Sequence, residues 1–217
     1  MDYRDYIYMT LDKLKTGNNG GAFISYPVFG DSKYLGVLKP ITNVYRLIYP
    51  EYVTLVCKWR QENQEGFANR FEGTEEKTRN WFDKVLLPRK DRVLFMFHDF
   101  SGKPIGHMGY SNFDFDRRSA EIDNVVKGEK KGYDGYFHKG IEALISIGKK
   151  LFQLDEIELR VLKDNEHAIK FYEELRFVRE YEIPLYEKKE KDLISWVEMD
   201  KPGKRKPDKY YIHMKLC

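Results

Sequence analysis

The sequence predicts a mixed α/β fold, a central sheet that is mostly antiparallel with one locally parallel strand pair and helices alongside, and three stretches carry that prediction. Residues 93–98 are apolar on both faces, as a central strand requires; the turn Ser101-Gly102-Lys103-Pro104 and a strand over 105–110 then make a hairpin. Residues 120–126 alternate like a strand, 127–135 hold three glycines, an amphipathic helix starts at Tyr136 or Phe137, and 156–162 alternate again. A strand, helix and strand of this length imply a right-handed crossover and a parallel pair. Finally, Asp164 or Asn165 caps a helix that carries Ala168, Ile169, Tyr172 and Leu175 on one face.

The remaining elements follow in chain order. Residues 3–15 place Tyr6, Ile7, Leu11 and Leu14 on one helical stripe, which ends at the flexible break Thr16-Gly17-Asn18-Asn19-Gly20-Gly21. From 22 to 40 the pattern is irregular, so residues 1–36 read as an N-terminal extension packed on a main domain over 37–217. A strand is expected around 45–48. Pro50 opens a helix with Val53, Val56, Cys57 and Arg60 at helical spacing and Trp59 near its end. Thr74 caps another, with Glu75 and Glu76 in its first turn and Trp81, Val85 and Leu86 before Pro88. Between them, 61–73 gathers Asn63, Asn69, Arg70 and Glu72, as a substrate loop or a solvated connection. After the glycine turn, Phe137, Ile141, Leu144, Ile145, Gly148, Leu151 and Phe152 share a stripe, and Ile157, Leu159 and Val161 face inward on the next strand. A strand over 177–185 is broken by Pro184; charged runs at 187–191 and 201–209 flank apolar 193–197 as a solvated hairpin tip, and a strand over 210–216 closes the chain.

The chain has 217 residues, enough for one sizeable core, and its 16 Tyr, 14 Phe and 3 Trp must mostly be core or ligand-stacking groups. A net charge of +3 suits anionic small molecules and gives no support to a nucleic-acid partner. The two cysteines, Cys57 and Cys217, have no metal-ligand spacing, and no disulfide or metal site is expected. No apolar run approaches membrane-spanning length and the N-terminus opens with alternating charges, so the expected location is the cytoplasm, with no membrane partner.

The turn over 127–135 is an anion cradle: Gly132 and Gly135 admit close backbone approach, the helix N-terminus supplies unpaired donors, and Lys127, Lys130 and Lys131 add charge. Its natural guest is a pyrophosphate. Together with the segment Leu159-Arg160-Val161-Leu162-Lys163-Asp164-Asn165-Glu166-His167-Ala168-Ile169-Lys170-Phe171-Tyr172-Glu173-Glu174-Leu175-Arg176-Phe177, this turn makes the chain from about Pro40 to Leu216 resemble the GNAT superfamily of acyl-CoA-dependent N-acetyltransferases. Two departures stand out. Glu129 and Asp134 occupy the first and last positions of the family's Gln/Arg-x-x-Gly-x-Gly/Ala turn when Gly132 is central, and Arg176 stands where the family has Gly.

The resemblance implies a GNAT fold whose parallel pair splays apart, acetyl-CoA as co-substrate without a metal, and direct attack by a primary amine in a ternary complex. It assigns Tyr172 to the departing thiolate, beside the plain reading of an apolar-face residue, and Asn165 to the pantetheine arm as well as the helix cap. It places the oxyanion donor at a backbone N–H near Val125, and the cofactor along Val125, Val126 and Lys127 to the cradle of Lys130, Lys131, Gly132, Tyr133 and Gly135. For the amine, Asp123 is the first candidate as base or binding carboxylate, with Glu121 and then His107 behind it; each also reads as an ordinary strand residue, while His98 and His138 read as structural. The implied acceptor is the amino group of a nucleotide-linked (dTDP- or UDP-) amino deoxysugar in surface-polysaccharide biosynthesis, with protein N-termini, ribosomal proteins among them, and antibiotic amines as alternatives. A non-catalytic acyl-CoA-binding domain is the alternative of another class, and a homodimer is compatible with either.

Overall fold

A computed structural model describes residues 1–17, 24–199 and 205–217. Most of the predicted break after Thr16, and the start of the charged run at 201–209, lie outside the described residues. Helix α1 (Tyr3–Lys15) leads to strands β1 (Tyr26–Gly30) and β2 (Lys33–Pro40), then helices α2 (Tyr45–Ile48) and α3 (Tyr52–Glu62). Strand β3 (Asn69–Phe71) and helix α4 (Glu75–Trp81), extended by a wider turn over Phe82–Leu86, precede β4 (Arg92–Asp99), β5 (Pro104–Asp114) and β6 (Ser119–Lys127). Helix α5 (Tyr136–Lys150), β7 (Glu156–Leu162), α6 (Glu166–Glu174), β8 (Phe177–Glu190), β9 (Leu193–Val197) and β10 (Lys209–Leu216) complete the chain.

Among the described residues ten strands form one sheet in the order β1-β2-β4-β5-β6-β7-β10-β8-β9-β3. Among the described residues β6 and β7 are parallel, joined through α5, and the other pairings are antiparallel. One face is covered by α1 and α5: Ile7, Leu11 and Leu14 pack in the same cluster as Phe137, Ile141 and Leu144, over Phe95, Phe97 and Tyr110. The other face carries α2, α3 and α4, with Tyr45, Tyr52, Val56, Trp59 and Phe82 against Leu94 and Met96. This explains why β4 is apolar on both sides. Tyr110, beneath α5, is fully buried and donates its hydroxyl to the Leu144 carbonyl, 3.0 Å away.

Three sequence expectations are corrected. Residues 45–48 are helical, because Tyr45 is buried edge-on against Phe82, with ring centroids 5.1 Å apart, and four residues of Tyr-Arg-Leu-Ile fit either period. The stretch from 22 to 40, read as irregular, contains the β1–β2 hairpin; its turn residues Asp31 and Ser32 have φ of 45° and 68° without the glycine that normally advertises such a turn. Pro184 does not break β8. It pairs with Tyr210 of β10, while β9 begins to pair only at Tyr186, so the missing N–H of Pro184 faces no strand.

Helix α6 ends through Arg176 in the left-handed region, φ 69°, where an L side chain is strained. Arg176→Gly is expected to stabilise the protein by about 0.5–1 kcal/mol, net of the greater freedom of glycine in the unfolded chain. A urea titration checks this; an unchanged or lower midpoint would count against strain at this position.

Candidate active site

The site begins where the parallel pair ends. Strands β6 and β7 are paired only at Ser119 with Glu156, Ala120 with Ile157 and Glu121 with Glu158. Beyond Glu121, β6 stays with β5 while β7 follows β10, so the two strands part. A bulge lies in the parting segment: His107 faces Val126 and Gly109 faces Asp123, leaving Asn124 and Val125 opposite Met108 alone. Asn124 adopts φ 53° there, and the Asp123 carboxylate accepts from both its backbone N–H (2.7 Å) and its side-chain amide (2.8 Å).

A cleft of about 880 Å³ fills the gap. Its β6 wall is Asp123, Asn124, Val125, Val126 and Lys127, and its α6 wall includes Asn165, Ala168 and Tyr172; the connection after α3 closes the side. Asn165 caps α6 by accepting from the Ala168 N–H at 3.2 Å, which leaves its NH₂ group available to the cleft. Tyr172 is held by ring contacts to Phe171 (5.3 Å) and Phe177 (5.8 Å). Burial, and after it the negative charge of Asp123, raises its pKa, so the phenol keeps its proton at neutral pH.

From Lys127 the chain enters the glycine turn. The Gly128 and Glu129 N–H groups both donate to the Ile105 carbonyl, at 3.0 and 2.9 Å. The amides from Lys130 to Gly135 donate to no backbone carbonyl among the described residues, and Gly132 (φ 81°) and Gly135 (φ 76°) are left-handed, Gly135 directly preceding α5. Lys130, Lys131, Gly132 and Gly135 are exposed; Tyr133 is half-buried, its hydroxyl donating to Asp99 at 2.9 Å, so its backbone faces the turn while its ring anchors it. Open amides at the start of a 15-residue helix fit a pyrophosphate. Gly128 itself lies under Trp59: a Cβ there would come within 2.1 Å of the indole. Gly128→Ala is therefore expected to cost roughly 1–3 kcal/mol and to raise KM for acetyl-CoA by displacing the turn, as thermal melts and initial rates would read out. An unchanged melt would overturn it.

A second cleft, of about 380 Å³, opens on the other side of the bulge. It shares Phe67, Ala68, Asp123, Asn124 and Tyr211 with the first, so the two meet at the bulge. Its further lining includes Arg60, Phe71, Lys77, Trp81, Arg92 and His107. Asp123 is paired with Arg92, Oδ2 to Nη2 3.1 Å. His107 sits with Nδ1 2.7 Å from the Asn124 carbonyl, which can only accept, so Nδ1 carries the proton and Nε2 presents a lone pair; Nε2 is buried without a protein partner. Burial pulls the His107 pKa down to about 4, keeping the ring neutral.

The structure thus brings Asp123, His107, Tyr172, Asn165, Val125, Val126 and Lys127 to the junction or its walls. Glu121 lines neither cleft. It lies where the strands are still paired and accepts from Arg160 Nε at 2.8 Å; burial raises its pKa, opposed by that guanidinium. Sequence reading did not single out Arg92, Lys77, Phe67 or Tyr211, which come from four separate elements and segments; the one local signal was a charged Arg92 directly preceding a doubly apolar strand. A separate depression of about 510 Å³ between α6 and β8 is lined largely by surface charges, such as Lys163, Glu166 and Arg179, and does not reach this junction. Among the described residues no cluster of three or more His, Cys, Asp or Glu could hold a metal ion, and no helix is long and apolar enough to cross a membrane.

Two clefts thus meet at one strand bulge, and the strand that carries the bulge runs on into a turn of open amides before α5. The acetyltransferase (GNAT) domain model matches residues 46–178, more than half of the sequence, and the chain belongs to that family: it is an acetyl-CoA-dependent N-acetyltransferase. A search of curated protein sequences finds no match. Among solved structures, a probable GNAT-family acetyltransferase from Chromobacterium violaceum is similar with a TM-score of 0.62 at 14% identity, over 88% of this chain and 85% of its own. Spermidine N-acetyltransferase from Vibrio cholerae in complex with CoA and spermine gives 0.55 at 16% identity, over 82% and 93%. A chimera of the Vibrio cholerae spermidine N-acetyltransferase and hSSAT gives 0.55 at 20%, also over 82% and 93%. At these identities the likeness speaks to the fold.

Proposed function

We propose that the protein acetylates the amino group of a nucleotide-linked amino deoxysugar by direct attack within a ternary complex. The observation that carries the two-substrate reading is the junction itself: the clefts share Asp123, Asn124 and Tyr211, so donor and acceptor reach one point from opposite sides. When bound, acetyl-CoA supplies the activated thioester. The open amides from Lys130 to Gly135, with Lys127 and Asn165, hold it. The bulge at Asn124 and Val125 releases backbone from the ladder where the carbonyl oxygen needs a donor. Tyr172 keeps its proton and donates it toward the departing sulfur. Asp123, fixed by Arg92 and Asn124, binds and orients the amine, and neutral His107 offers a lone pair beside it.

For the acceptor, support comes from the lining of the second cleft, where Trp81 offers a stacking surface for a base and Arg60 and Lys77, gathered at Phe71, offer cations for a diphosphate. Thiol release from acetyl-CoA, measured with amino sugars, nucleotide-linked amino sugars, polyamines, peptides and aminoglycosides, tests the proposal. The expected result is the highest kcat/KM with a nucleotide-linked amino sugar. A higher value for a peptide or polyamine would overturn the acceptor, and no release with any amine would favour a binding role.

A further inference from the structure

The acceptor cleft has more positive charge than its own carboxylate answers. Among the described residues, Arg60, Lys77 and Arg92 line it against a single carboxylate, Asp123. Arg92 is the cation that meets Asp123, at 3.1 Å. Arg60 and Lys77 have backbone carbonyls as partners instead: Arg60 Nη2 donates to Asn69 O at 2.8 Å and Lys77 Nζ to Glu72 O at 2.9 Å. Among the described residues Arg60 Nη1 is buried with no protein partner, and burial pulls the Arg60 pKa down to about 10, opposed by Tyr211 and Asp123, neither of which forms an ion pair with it. The two cations are gathered by one ring. Arg60 Cζ lies 5.4 Å and Lys77 Nζ 6.0 Å from the Phe71 centroid, while Arg60 also stacks 3.5 Å over Phe67.

We infer that the acceptor carries a phosphate, held by Arg60 and Lys77 around the Phe71 ring, with its amine directed to the Asp123 end where the clefts meet. This rests on the reading of the second cleft as the acceptor site, but it does not require a nucleotide. A dianion matches two unanswered cations, one a planar fork and the other a point charge, better than a neutral sugar does. A polyamine would instead add positive charge to three cations and a single carboxylate, so the spermine held by the Vibrio cholerae neighbour is the wrong class of ligand for this cleft.

The test uses the full chain saturated with CoA, so that the donor cleft is filled, and compares calorimetric binding of glucosamine 6-phosphate, glucosamine and spermidine. The phosphate ester is expected to bind at least ~10-fold more tightly than glucosamine, with spermidine weakest, as suits charge-assisted recognition. Arg60→Gln should abolish the preference and Lys77→Gln reduce it; Lys77 is exposed, so that variant should fold even where Arg60→Gln does not. Equal binding of the two sugars, tighter binding of spermidine, or an undiminished phosphate preference in Lys77→Gln and any folded Arg60→Gln would overturn the inference. Thiol release is read separately: phosphate-dependent binding without transfer would uphold the charge selection while counting against the catalytic reading of the cleft.

Discussion

Tyr172→Phe is expected to lower kcat by roughly 10²-fold or more while leaving the affinity for CoA close to that of the parent protein, the range set by loss of a positioned general acid. The ring is retained, and with it the contacts to Phe171 and Phe177 that seat α6, so packing and the α6 wall of the cleft should survive. What disappears is the hydroxyl. Burial and the nearby Asp123 charge raise its pKa, which makes it a reservoir of a proton at neutral pH rather than a base. Steady-state kinetics with CoA binding measured in parallel separates the effects. An unchanged kcat would remove Tyr172 from the proton-transfer role, whereas a matched loss of CoA affinity would make it a binding residue.

Acid is expected to be the protein's main liability. His98 and His107 are both buried and both have pKa values drawn down from 6.5 to about 4, burial being the largest cause for each. Between those values the unfolded chain binds the two protons and the folded chain does not, so stability falls as pH drops from 6.5 toward 4 and is fully present above 6.5. Each histidine contributes roughly 3 kcal/mol over the window, a large share of a typical domain's stability. Neither ring can relieve the cost by simple solvation: His98 lies beside the Tyr52 hydroxyl, 3.0 Å from Nε2, and His107 Nε2 has no partner. Urea midpoints at pH 7.5 and 5.0 should differ markedly, and His98→Gln should remove about half of the histidine contribution. Equal midpoints at the two pH values would contradict the burial argument.

The parts legible in the sequence were those fixed by neighbours along the chain. Asn165 and Tyr172 could be placed because a helix cap and a helix face are matters of spacing: Asn165 caps by reaching Ala168, three residues on, and Tyr172 lies on the face with Ile169. The same holds for the β4–β5 hairpin, the crossover through α5 and the glycine turn. Short elements without a strong period were misread, as Tyr45–Ile48 was, since only burial of Tyr45 against Phe82 chose helix over strand. Pro184 misled for a related reason. Its effect depends on whether a strand lies on its N–H side, and strand order is not written locally.

By itself, then, the sequence determined the order of elements from β4 to α6, the cap and phenol of α6, and the glycine turn before α5. Tertiary structure decided which carboxylate reaches the junction. Glu121 and Asp123 share a strand and a parity, yet Glu121 remains in the paired part of β6 against Arg160, while Asp123 stands at the bulge where β6 and β7 have parted. It also decided the charge of the acceptor cleft, because Arg60, Lys77 and Arg92 come from α3, α4 and β4 and meet only through packing. Periodicity reports which face of an element is buried; it carries no information about which distant charges the fold brings to the same cavity.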